Sequence, residues 1–112
     1  MPLQYLEFDI GEDSDGWTSA SALACPAPQH LAALHAEVQA LLHSLHRALG
    51  KPGPLDEGHR WDLDLQIDNA DGQRLTLDAL ATAWPGQERC TLSLHLAGGG
   101  DLHNLLHTWM NP

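Results

Sequence analysis

The chain has 112 residues, with 15 acidic against 5 basic side chains and a formal net charge of -10. Nucleic acid and anionic membranes would both repel such a surface, so the charge argues against either as a partner and favours a basic protein partner. Hydrophobic residues make up 43% of the chain and charged ones 18%, a folding composition at a length that fits a single domain over 1–112.

The opening stretch MPLQYLEFDIGEDSDGW has neither a basic n-region nor an apolar h-region. No signal peptide is expected, no apolar run approaches the roughly 18 residues of a membrane span, and a cytoplasmic protein is the expectation. Within that stretch Leu6, Phe8 and Ile10 alternate with Tyr5, Glu7 and Asp9, which predicts a strand with one buried face. GEDSDG follows as a turn. WTSASALAC reads as a second strand, with small Ala20, Ala22 and Ala24 alternating with polar Thr18, Ser19 and Ser21. Small residues suit a sheet edge or a place where a helix approaches closely.

From Pro28 onward the spacing changes. Leu31, Leu34, Val38, Leu41, Leu42, Leu45 and Leu49 recur at three- and four-residue steps, one apolar stripe of a long amphipathic helix. Pro28 suits its first turn and Gly50 its left-handed stop. KPGPLDEGH then reads as a loop.

Trp61–Ile67 and Leu75–Ala83 read as strands joined by DNADGQ, in which Gly72 can take a positive φ. WPGQ at Trp84–Gln87 suits a type II turn. RCTLSLHL reads as a third strand, with Cys90, Leu92, Leu94 and Leu96 inward and Thr91, Ser93 and His95 outward; a meander is the simplest arrangement of the three. DLHNLLHTWM closes as a short helix, with Asp101 at its N-cap and Leu102, Leu105, Leu106 and Trp109 buried. The order β-β-α-β-β-β-α predicts an α+β two-layer sandwich. Its antiparallel sheet has about five strands, with one long and one short helix on one face and the other face polar.

That polar face is where function is sought. In RWDLDLQIDNADGQRLTLDALATAW one side of the alternation is oil and the other largely carboxylate. Asp62 and Asp64, at i and i+2, point the same way about 7 Å apart. Asp56 and Glu57 in the preceding loop, with Glu7 and Asp9 of the first strand, extend the acidic surface, while Trp61 reads as core. One reading is a binding surface for a basic partner, as in an adaptor or an inhibitor of a basic toxin. The alternative is a divalent-metal-binding protein or metal-dependent enzyme, with Asp62 and Asp64 joined by His95. The plainest origin of such a face is solubility alone, since a one-sided sheet needs a wet side.

Metal and nucleophile signatures fail on inspection. Aligning Gly72 with the sixth position of a calcium loop puts Ile67, which cannot ligate, at the first. His103 and His107 are i, i+4, but the sequence is HNLLH rather than HExxH; His35, His43 and His46 flank the leucine stripe as boundary residues. No GxSxG, CxxC or lysine-bearing Gly-rich loop occurs, and Asp101 after AGGG would repel an anion. Cys25 and Cys90 match no metal spacing and read as buried thiols. No catalytic residue, metal or cofactor is assigned, and the sequence leans away from an enzyme.

YLEFDIGED at 5–13 and GPLDEGHRWDLDLQ at 53–66 resemble a group of small uncharacterised bacterial proteins. In that group a YLEFD opening, a long Leu/His/Ala-rich helix and a PLDEG..WD.DLQ segment recur. The resemblance implies a free-standing bacterial domain and carries over no activity or catalytic residue.

Overall fold

The leucine stripe folds as its spacing predicts, into a helix whose Leu31, Leu34, Val38, Leu41, Leu45 and Leu49 are buried and whose Leu42 is half-buried. A computed structural model describes residues 3–81 and 89–110, so the turn expected at Trp84–Gln87 lies outside the described residues. The elements are β1 (Asp9–Glu12), β2 (Thr18–Ala24), α1 (Leu31–Leu49), β3 (Trp61–Asp68), β4 (Arg74–Leu75), β5 (Thr91–Gly98) and α2 (Gly100–Met110), with 3-10 turns at Pro28–His30, Leu55–Glu57 and Leu77–Ala81. This is the expected α+β layout: an antiparallel five-stranded sheet with one long and one short helix.

The strand order is β1-β2-β5-β3-β4, every neighbouring pair antiparallel. The expected meander is therefore corrected: β5 lies between β2 and β3, not beside β4. Length and polarity explain the choice. β5 pairs with all of β3 and all of β2, whereas β4 offers only two residues. Leu92, Leu94 and Leu96 are fully buried, and a central strand is the one position covered along its whole length.

Two further strands are shorter than their alternation predicts. After Leu75 the chain enters the 3-10 turn at Leu77–Ala81, packed against α1 with Leu80 fully buried. Burying Leu80 decides the conformation there, and it cannot lie on the same face of a strand as Leu75 and Leu77. At the other end Leu6 and Phe8 are buried as expected, yet β1 starts only at Asp9. The backbone N–H groups of Gln4, Tyr5 and Leu6 donate instead to the Glu37 carboxylate on α1, at 2.9 Å for Tyr5 and 2.8 Å for Leu6. A side chain thus satisfies donors that a neighbouring strand would otherwise have taken.

The even-numbered side chains of β2 and β5, the odd-numbered ones of β3 and both helices form one core. Thr18 belongs to the alanine side of β2, not the polar side, and is 1% exposed. Trp61 is fully buried; its Nε1–H donates to the Gly50 carbonyl at 2.8 Å, and the His46 ring meets it edge-on at 5.7 Å. Gly98 is buried where α2 turns back on β5: a Cβ there would stand 2.9 Å from Leu102 Cδ2 and 3.0 Å from the Arg60 carbonyl oxygen. Asp101 is not the N-cap; it lies inside the first turn of α2 and pairs with Arg60, while the N–H groups of Leu102 and His103 reach the Gly99 carbonyl. Cys90 is buried as expected, but Cys25, just past the end of β2, is exposed. No helix among the described residues is long and apolar enough to cross a membrane.

Candidate functional site

The odd-numbered side chains of β2 and β5 and the even-numbered ones of β3 make the open face of the sheet. The register lines them up in rows. One row runs Asp9–Ser21–His95–Asp64 across four strands, and the next runs Gly11–Ser19–Ala97–Asp62. Ser21 Oγ and His95 Nδ1 are hydrogen-bonded at 2.8 Å. Farther along, Arg74 Nε donates to Asp68 Oδ1 at 3.0 Å across the β3–β4 pair.

Asp62, Asp64, His95 and Ala97 line a shallow dent of about 80 Å³. Ala97 is shared with a larger groove of about 470 Å³ at the end of the face. Ser19 and Ala97 floor this groove. Trp17 and Asp13, from the β1–β2 turn, wall it on one side, and Leu55 and Asp56, from the 3-10 turn before β3, on the other.

The expected site residues therefore divide. Asp9, Asp62 and Asp64 share the open face, and Asp56 stands at its end. Glu57 is exposed in the same 3-10 turn but does not line the groove. Glu7 is not with them: it precedes β1 and lines a separate cleft of about 390 Å³ with Tyr5, Trp109 and Met110. Tyr5 turns to the helix side as well, its ring 6.0 Å from that of His30.

Sequence reasoning missed Trp17, Leu23 and Asp13. Among the described residues Trp17 and Leu23 are the exposed large hydrophobic side chains, at 44% and 67%. Both take the odd positions of β2 and its lead-in, the polar side occupied by Ser19 and Ser21. The signal was in the sequence: a Trp and a Leu in phase with serines, out of phase with the alanines. At about 3.3 Å per residue they stand roughly 20 Å apart, one near each end of the face.

The charges on this face are largely unopposed. Among the described residues the ion pairs are Arg60–Asp101 and Arg74–Asp68, and a ring nitrogen of His103 stands near the Glu12 carboxylate. None involves Asp9, Asp13, Asp56, Asp62 or Asp64. Asp64 Oδ2 takes only a long 3.4 Å bond from Gln66 Nε2, and Asp62 Oδ1 one from the Leu63 N–H at 2.8 Å.

Two constellations on or near this face bear on chemistry and metal binding. Ser21 and His95 form a hydroxyl–imidazole pair, but Asp64, opposite His95, makes no hydrogen bond to it, and the pair is exposed to water. A nucleophile needs a base oriented by a third group in a water-poor site. Among the described residues no group of three or more His, Cys, Asp or Glu side chains is placed to hold a metal ion. His103 and His107 stack at 5.6 Å, and His103 Nδ1 stands 3.4 Å from Glu12 Oε1, too poorly aligned for a hydrogen bond.

Comparisons of the chain with protein-family models, with curated proteins and with solved structures return no match.

Proposed function

We propose that this chain is a small acidic interaction domain that binds a basic protein partner through the open face of its sheet. The observation that carries the reading is a coincidence on one surface. The carboxylates of Asp9, Asp62, Asp64 and Asp56, which lack a cationic partner among the described residues, share the face with Trp17 and Leu23. Exposed tryptophan is enriched at the anchor points of binding surfaces, with polar groups around them at the rim. The unopposed carboxylates steer a basic partner toward the face and set its orientation. We propose a cytoplasmic location for it, a compartment in which an exposed thiol such as that of Cys25 stays reduced.

Affinity capture at low salt with the wild-type chain and with an Asp62→Lys, Asp64→Lys variant tests the proposal. The expected result is a basic protein retained by the wild type, released as salt is raised, and lost with the variant at unchanged melting temperature. Capture of no protein, or of the same protein equally by both, overturns it.

A further inference from the structure

We infer that the groove between Trp17 and Leu55 is the receptor for an arginine side chain of that partner; the inference rests on the binding role of the open face and adds the chemistry of the contact. Three properties of the groove select this occupant. It is a groove of about 470 Å³ with Trp17, Leu55 and Ala97 in its lining, which suits the apolar stem and flat face of a side chain that is desolvated on binding. One wall is the exposed Trp17 indole. Each wall also supplies a carboxylate, Asp13 or Asp56, and neither is ion-paired among the described residues.

The Trp17 wall is set in place before any partner arrives. Asp13 Oδ1 accepts the N–H groups of Asp15 and Trp17, both at 2.9 Å, and the Asp13 N–H donates to the Trp17 carbonyl at 2.9 Å. The turn is thereby closed around Trp17. No donor among the described residues engages the second Asp13 oxygen. A planar guanidinium stacks on an indole and presents donors in its own plane to carboxylates on either side. A lysine ammonium, compact and strongly hydrated, gains less from the same walls.

Binding of nona-arginine and nona-lysine peptides to the intact chain, at matched ionic strength, separates the groove from the face. Expected is a preference for the arginine peptide of about fivefold, with movement of the Trp17 indole N–H resonance and not that of the buried Trp61. Trp17→Ala abolishes the preference while binding of the lysine peptide persists. Asp13→Asn, which keeps the acceptor for the turn, combined with Asp56→Asn weakens the arginine peptide more than the lysine one. Equal binding of both peptides, or a preference that survives Trp17→Ala in a folded variant, overturns the groove and leaves the face reading standing. Binding of neither peptide overturns both.

Discussion

Glu37 Oε2, on the helix layer, accepts the backbone N–H of Leu6 at 2.8 Å, and the same carboxylate also takes the N–H groups of Tyr5 and Gln4. One side chain thus anchors a segment that has no strand partner among the described residues. Replacing it exposes how much of the N-terminal packing depends on that anchor. Glu37→Ala is expected to cost about 1–3 kcal/mol, the range for leaving partly buried donors unpaired. Glu37→Gln, which keeps an acceptor, should cost less. Thermal melting gives the magnitude. Faster amide exchange at residues 4–6, with α1 amides unchanged, identifies the cause.

Two glycines on opposite faces should respond oppositely to alanine. At Gly98 the added Cβ meets Leu102 Cδ2 at 2.9 Å and the Arg60 carbonyl at 3.0 Å. Backbone cannot step aside, so Gly98→Ala is expected to destabilise by about 1–3 kcal/mol. At Gly11 the nearest atom is Ser19 Oγ at 3.9 Å. Gly11→Ala should be neutral or stabilise by up to about 1 kcal/mol through lost freedom in the unfolded chain. Denaturant midpoints for the pair decide it.

Thr18 is 1% exposed, and its hydroxyl finds no hydrogen-bond partner among the described residues. Thr18→Val keeps the shape and removes the stranded oxygen, so it is expected to raise stability by about 1 kcal/mol. A lowered melting temperature would contradict this.

The Arg60–Asp101 pair ties the loop before β3 to α2, but its side chains are 54% and 64% exposed. Exposed pairs contribute little, and Arg60→Ala or Asp101→Ala should each cost less than about 1 kcal/mol. That small cost should shrink further at high salt. A double-mutant cycle at two ionic strengths measures both effects.

Acidification should bring the chain out of solution. Protonating all eight histidines would take the net charge from -10 to -2, removing the repulsion that keeps copies apart. Turbidity is expected to rise between about pH 8 and the sequence pI of about 4.9. A flat trace would refute it.

The helices and the inward faces of β2 and β5 were legible because their apolar residues repeat at the helical or strand period and little else competes. Three features of the strands were not. Alternation at Leu6–Ile10 reports an extended chain, and nothing in it says that Glu37 would take the backbone donors. Alternation from Leu75 fits a strand until Leu80, whose burial against α1 breaks the phase. Alternation in β5 announces a strand but not its neighbours, so its place between β2 and β3 had to come from three dimensions. Asp62 and Asp64 were readable as a pair from their spacing, and the register places His95 opposite Asp64. The groove was not readable, because its two walls are 38 residues apart in the chain, Trp17 and Leu55.

The placement of β5 also orders events in time. Ribosomes deliver β1–β2 and β3–β4 first, and each is a two-stranded ribbon of marginal stability by itself. Among the described strands β5 alone joins them, through its pairings to β2 and β3. Until synthesis passes Gly98, Asp64 has no His95 opposite it and the Ala97 floor of the groove does not exist. A nascent chain released before that point would carry every acidic residue of the face and none of its shape.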